Sequence, residues 1–201
     1  EINEGDWSSD VCSSDLAIVR PGVDLTRFRP LAQNERCWAW QGRYLFFAAR
    51  LQPLKAPDLA IRTLAALPRG DRPRLVLAGA ASADFGFYAD ELHRLVAELG
   101  LVDEVLFLGS LDRDQLATIL RGASALLNPS RSETYGLINL EAAASGIPVL
   151  ATRTGGMLES VVDRGTGLLL DSRDPQDWAA AVQACTADNE EIGRASCRER
   201  V

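Results

Sequence analysis

Of 201 residues only one is histidine and four are cysteine, and no run of about 18 apolar residues occurs. Without such a run the chain is not expected to cross a membrane as a helix. Residues 1–16 are polar and acidic where an export signal needs a basic start and an apolar middle, so none is read there. None of the cysteines Cys12, Cys37, Cys185 and Cys197 that could belong to a folded core, namely Cys37 and Cys185, has a Cys or His neighbour at ligand spacing. No metal site is expected, and sparse cysteine fits a reduced, cytoplasmic protein. No Lys/Arg-rich stripe is present, and 28 acidic side chains outnumber 21 basic ones, which argues against nucleic acid as the main partner. Nor does a G-x-G-x-x-G follow any predicted strand, which removes a dinucleotide oxidoreductase. What remains, at 47% hydrophobic and 24% charged with 16 Gly and 9 Pro, is globular composition and excludes disorder, collagen and coiled coil. At this length a single domain buries roughly 70% of its unfolded surface.

The two ends read differently from the middle. Residues 6–16, DWSSDVCSSDL, and 191–201, EIGRASCRERV, lack the apolar periodicity that packs on a core. Both resemble translated short-read sequencing adaptors: GCTCTTCCGATCT, which can encode the end of the first, is the reverse complement of AGATCGGAAGAGC, which can encode part of the second. The expectation is therefore that 1–16 and 191–201 are artefact and 17–190 is the protein proper. The two tails hold seven acidic and three basic side chains, so 21 acidic and 18 basic remain and the net charge moves from -7 to -3.

Within that window short apolar runs alternate with amphipathic stretches. YLFFAA (44–49), RLVLAG (74–79), EVLFLG (104–109), ALLNP (125–129), PVLA (148–151) and GLLL (167–170) have strand length and are almost continuously apolar, the pattern of buried parallel strands. Helical spacing runs through 56–67, 88–100, 113–123, 137–146, 155–162 and 174–187, with Asp174 or Ser172 placed to cap the last. The alternation predicts an α/β, Rossmann-like, doubly wound parallel sheet. In such a sheet ligands bind where strands end and helices begin, so chemistry is expected in the loops 49–58, 129–141 and 151–159.

In the first loop Arg50 and Lys55 follow a buried strand and precede a helix, where a cation is disfavoured by the helix dipole unless an anion is bound there. A planar fork and a mobile point charge together suit a diphosphate. The second loop carries Glu133, and the helix that Gly136 opens carries Glu141, eight residues on. The backbone N–H groups of Thr134, Tyr135, Gly136 and Leu137 are expected to face an anion. Gly155-Gly156 admits a ligand close to the backbone or simply makes a tight turn. His93 reads as a surface or boundary residue of an amphipathic helix, and Trp38 and Trp40 as core or interdomain packing.

Four motifs, PGVDLTRFRP, RLQPLK, PSRSETYGLINLEAAASGIPV and GGMLESVVDRGTGLLL, occur in the order found in the C-terminal, donor-binding half of family 4 retaining glycosyltransferases of the GT-B type. From residue 20 to about 185 the chain resembles that half, and RLQPLKAPD is most similar to the D-inositol 3-phosphate glycosyltransferases. The resemblance implies that Arg50 and Lys55 bind the diphosphate of a nucleotide sugar, UDP above all. It further implies that Glu133 contacts the sugar, Glu141 the ribose hydroxyls, and Thr134 to Leu137 the phosphate and sugar through their backbones. Arg50, Lys55 and Glu133 would carry the transfer, with no metal and no cofactor beyond the donor itself.

Ala49 stands where the family usually has Gly, Leu158 where it usually has Pro, and Ile147 where Thr is commoner. The resemblance implies that the family's N-terminal Rossmann domain, which binds the acceptor and often makes peripheral membrane contact, is expected to be missing from this chain. The chain alone is thus expected to bind a nucleotide sugar weakly, to transfer nothing, and to self-associate through the face that domain would cover. The rival reading is a stand-alone nucleotide-binding or regulatory module on the same fold.

Overall fold

The computed structural model describes residues 20–32, 42–82 and 85–187. Both terminal segments, Cys37, Trp38 and Trp40 lie outside the described residues. Six strands form one parallel sheet: β1 (Tyr44–Ala48), β2 (Arg74–Ala78), β3 (Val105–Gly109), β4 (Ala125–Asn128), β5 (Val149–Thr152) and β6 (Gly167–Leu170). Their order is β3-β2-β1-β4-β5-β6. Among the described residues six α-helices connect and follow them: α1 (Pro57–Ala66), α2 (Gly86–Glu98), α3 (Arg113–Leu120), α4 (Leu137–Ala144), α5 (Met157–Ser160) and α6 (Pro175–Ala187).

The strands read as solid apolar runs because both faces of the sheet are covered. Alternate side chains go to opposite layers. Leu45, Phe47, Leu75, Leu77, Leu127 and Leu150 join Leu59, Ile61 and Leu64 of α1, Leu92 and Val96 of α2, and Trp178 and Val182 of α6. Tyr44, Phe46, Val76, Leu126, Val149 and Ala151 join Ile119 and Leu120 of α3, Ala142 of α4 and Met157 of α5, with Phe28 of the leading segment. Trp178 is fully buried and its indole N–H donates to Ser172 O at 2.8 Å, while Asp174 caps α6 through Gln176 N at 2.9 Å. Asp112 and Gln115 close a reciprocal capping box on α3.

The helix expected over 155–162 is only four residues long, because Val161 turns extended (φ -122°, ψ 124°) and carries the chain toward the bridge between Asp163 and Gly167. Among the described residues no helix is long and apolar enough to cross a membrane.

The chain winds outward from β1 to β3, then returns to β4 beside β1 and winds the other way. The loops after β1 and β4 therefore diverge at their junction and leave a crevice at the carboxyl ends of these two strands. Gly79, after β2, has φ +134°, and a Cβ there would lie 1.9 Å from Ala49 O; only glycine lets these two loops run together.

Candidate functional site

Beyond β1 the chain turns Leu51 and Gln52 inward, then makes a single 3-10 turn, Pro53–Lys55. Ala56 takes the left-handed conformation at φ 50°, uncommon for a residue with a side chain, and Pro57 opens α1. This sharp reversal directs Lys55 across the crevice toward the loop after β4. The two loops are tied by Arg131 N donating to Leu54 O at 2.8 Å. Lys55 Nζ lies 2.7 Å from Glu133 Oε2, with side chains only 14% and 18% exposed. Glu133 Oε1 accepts from the backbone N–H of Thr134 at 3.0 Å, so both carboxylate oxygens are engaged. Arg50, at the start of the first loop, is exposed.

Gly136 is the N-cap of α4 at φ 78°, and no side chain caps this helix. Its first turn, including exposed Leu137, therefore begins without a side-chain acceptor for its backbone N–H groups. Thr134 is exposed and Tyr135 half-buried beside it.

Gly155 and Gly156 do something sequence reasoning left open. Gly156 N donates to Glu133 O at 2.9 Å. A Cβ on Gly155 would lie 2.6 Å from Glu133 O, and one on Gly156 only 2.2 Å from Thr134 O. The pair lets the loop after β5 support the loop that carries Glu133 from behind.

A buried polar chain fixes the same loop from below. Ser130 Oγ donates to Asn128 Oδ1 (2.8 Å), Asn128 Nδ2 to Asn139 Oδ1 (2.9 Å), Asn139 Nδ2 to Ser160 Oγ (2.9 Å) and Ser160 Oγ to Gly156 O (3.0 Å). Asn139 Nδ2 also meets Met157 Sδ at 3.0 Å. Fully satisfied buried networks of this kind hold one geometry. None of Asn128, Ser130, Asn139 or Ser160 was singled out from the sequence, although a polar residue inside ALLN and LINLEAAA was the available signal.

Glu141 lies apart from the Lys55–Glu133 pair. It is 3% exposed, on the second turn of α4, and Arg113 Nη1 reaches its Oε1 at 2.6 Å from the first residue of α3. Burial pushes the Glu141 carboxyl above its ordinary value, and the adjacent Arg113 guanidinium opposes the shift. Arg173, beyond β6, donates to Pro129 O at 3.0 Å and approaches Thr152 Oγ1 at 3.4 Å. Burial and the charge of Arg131 lower its pKa. Arg113 and Arg173 were also missed, since neither adjoins a sequence motif.

The structure thus brings Lys55, Glu133 and the start of α4 together at the crevice, with Arg50 on the same loop, and pairs Glu141 separately with Arg113. Residues 36–200 match the family described as glycosyl transferases group 1. The D-inositol 3-phosphate glycosyltransferase of Nocardia farcinica is 39% identical over 190 residues, covering 91% of this chain and 42% of that protein. The chain thus spans about two fifths of the length of the curated relatives it matches. The crystal structure of the C-terminal domain of a group 1 glycosyl transferase, LpcC from Francisella tularensis, is similar at TM-score 0.77 and 25% identity, covering 87% of this chain and 94% of that one. Anabaena HepE in complex with UDP is similar at TM-score 0.70 and 27% identity, covering 76% of this chain and 41% of that one.

Proposed function

The chain belongs to the group 1 glycosyl transferases, and from that membership we propose that it is the donor-binding half of a retaining enzyme. This enzyme moves a hexose or N-acetylhexosamine from a UDP-sugar to an acceptor alcohol, with inositol phosphate the favoured acceptor class. One observation carries the reading: Lys55 and Glu133 come from separate loops and meet at 2.7 Å across the β1–β4 crevice, beside the uncapped start of α4. A cation, a carboxylate and free backbone donors at a switch point suit a diphosphate joined to a polyol. The UDP complex of a similar protein and the inositol phosphate names of the relatives support the choice of donor and acceptor.

In this reading Arg50 and Lys55 hold the diphosphate, the N–H groups from Thr134 to Leu137 face phosphate and sugar, and Glu133 binds sugar hydroxyls. Glu141 accepts from the ribose. Sugar departure places negative charge on the diphosphate, and preset cations with a helix N-terminus stabilise that charge as it develops. The chain spans about two fifths of the length of its curated relatives, and in this reading the acceptor side of the cleft is not formed by these 201 residues, which by themselves bind donor weakly and transfer nothing. The cytoplasmic supply of nucleotide sugars supports a cytoplasmic setting for this reading.

Titration calorimetry with UDP tests the assignment. Arg50→Ala and Glu141→Ala are each expected to weaken binding about tenfold or more. Unchanged affinity in both variants would overturn the donor site in favour of a stand-alone module, and sugar transfer by the purified chain would overturn its inactivity.

A further inference from the structure

Glu141 poses a physical problem that the fold solves with one residue. A carboxylate almost fully removed from water needs a partner for its charge and a fixed orientation before it can serve a ligand. The partner comes from another helix. Arg113 is the first residue of α3, and its Nη1 holds Glu141 Oε1 at 2.6 Å, which leaves Oε2 as the second acceptor. The Arg113 side chain is itself 54% exposed, so packing alone does not fix it. Its guanidinium lies over the ring of Phe28, 4.9 Å from the centroid. Phe28 is fully buried, and its neighbour Arg27 pairs with Asp114 at 2.9 Å, which pins the leading segment to the same end of α3.

We propose that Arg113 is a positioning residue that fixes the Glu141 carboxylate for recognition of a nucleotide's ribose hydroxyls, with Phe28 holding Arg113 in place. This rests on the donor-site reading above. Arg113 acts through Glu141 and makes ribose recognition depend on the segment that leads into the domain. Burial raises the Glu141 pKa and Arg113 opposes that shift, so removal of Arg113 leaves the burial unopposed.

The experiment compares UDP with 2′,3′-dideoxy-UDP by calorimetry on the 201-residue chain and on Arg113→Ala, Arg113→Lys and Phe28→Leu. The unsubstituted chain is expected to prefer UDP by about tenfold, the worth of hydrogen bonds to a charged acceptor. In Arg113→Ala the preference falls to about twofold while the dideoxy analogue, which reports the diphosphate contacts, binds as before. Arg113→Lys restores part of the preference, and Phe28→Leu loses part of it. The remaining preference in Arg113→Ala also fades at higher pH than in the parent as pH is lowered, because Glu141 without its cation takes up a proton sooner. Full preference in a folded Arg113→Ala would overturn the proposal and leave the donor site standing. Equal loss of both ligands would also overturn it, as the mark of a purely structural residue. If the unsubstituted chain binds neither ligand, the donor-site reading fails first and this one with it.

Discussion

Lys55 Nζ and Glu133 Oε2 are 2.7 Å apart, and each belongs to a different half of the doubly wound sheet. The ammonium that a diphosphate would seek is therefore already engaged by a carboxylate, and the ligand must compete for it. Lys55→Met is expected to weaken UDP binding about tenfold or more, since a charge-assisted contact is lost. Glu133→Gln frees the ammonium and is expected to bind UDP, which carries no sugar, at least as tightly as the parent. Calorimetry decides: a large loss of UDP affinity in Glu133→Gln would show that the carboxylate serves the nucleotide itself.

How much of this was legible beforehand differs element by element. The six strands could be read because parallel strands covered on both faces are apolar throughout, and Lys55 and Glu133 stood out as charges set directly beyond such runs. The pairing of Arg113 with Glu141 could not be read. It depends on how α3 crosses the sheet from β3 to β4, which no local pattern encodes. The work of Gly156 was hidden for a related reason: its crowding neighbour, Thr134 O, belongs to a different strand's loop. Helix ends were misjudged where tertiary pairing intervenes, as at Val161.

Gly156 should be intolerant of any side chain. An added Cβ would lie 2.2 Å from Thr134 O and 2.4 Å from Tyr135 Cα, both backbone atoms that cannot swing aside. Gly156→Ala is expected to cost about 2–4 kcal/mol in urea denaturation and to weaken UDP binding by displacing the Glu133 loop. Gly86→Ala is the contrast, for among the described residues nothing beyond its chain neighbours and its own helix lies within 4 Å of its added Cβ. There the expected change is a stabilisation of about 0.4–1 kcal/mol, from the less flexible unfolded chain.

Asn139 is fully buried and joins β4 to α5 through Asn128 and Ser160. Asn139→Ala leaves both of these partners short of a hydrogen bond and opens a small cavity, so a loss of about 2–4 kcal/mol is expected. Because the same network supports Gly156 O, UDP affinity should fall as well. A variant that is destabilised yet binds UDP normally would separate the network from the site.

The buried carboxyl of Glu141 makes stability depend on pH in a defined direction. Its folded pKa is raised above the ordinary 4.5 by burial, with Arg113 opposing the shift. Between these two values the folded state holds more protons than the unfolded one, so this group's contribution weakens as pH rises and is lost above the raised pKa. Replacing it with a neutral amide removes that penalty, and exposed Arg113 loses little when its partner goes. Glu141→Gln is therefore expected to be more stable than the parent near neutral pH, with the advantage shrinking as pH falls toward 4.5. Urea denaturation of both proteins across that range measures it. An advantage that grows on acidification would mean that the carboxylate is stabilised by its surroundings, and that Arg113 outweighs the burial.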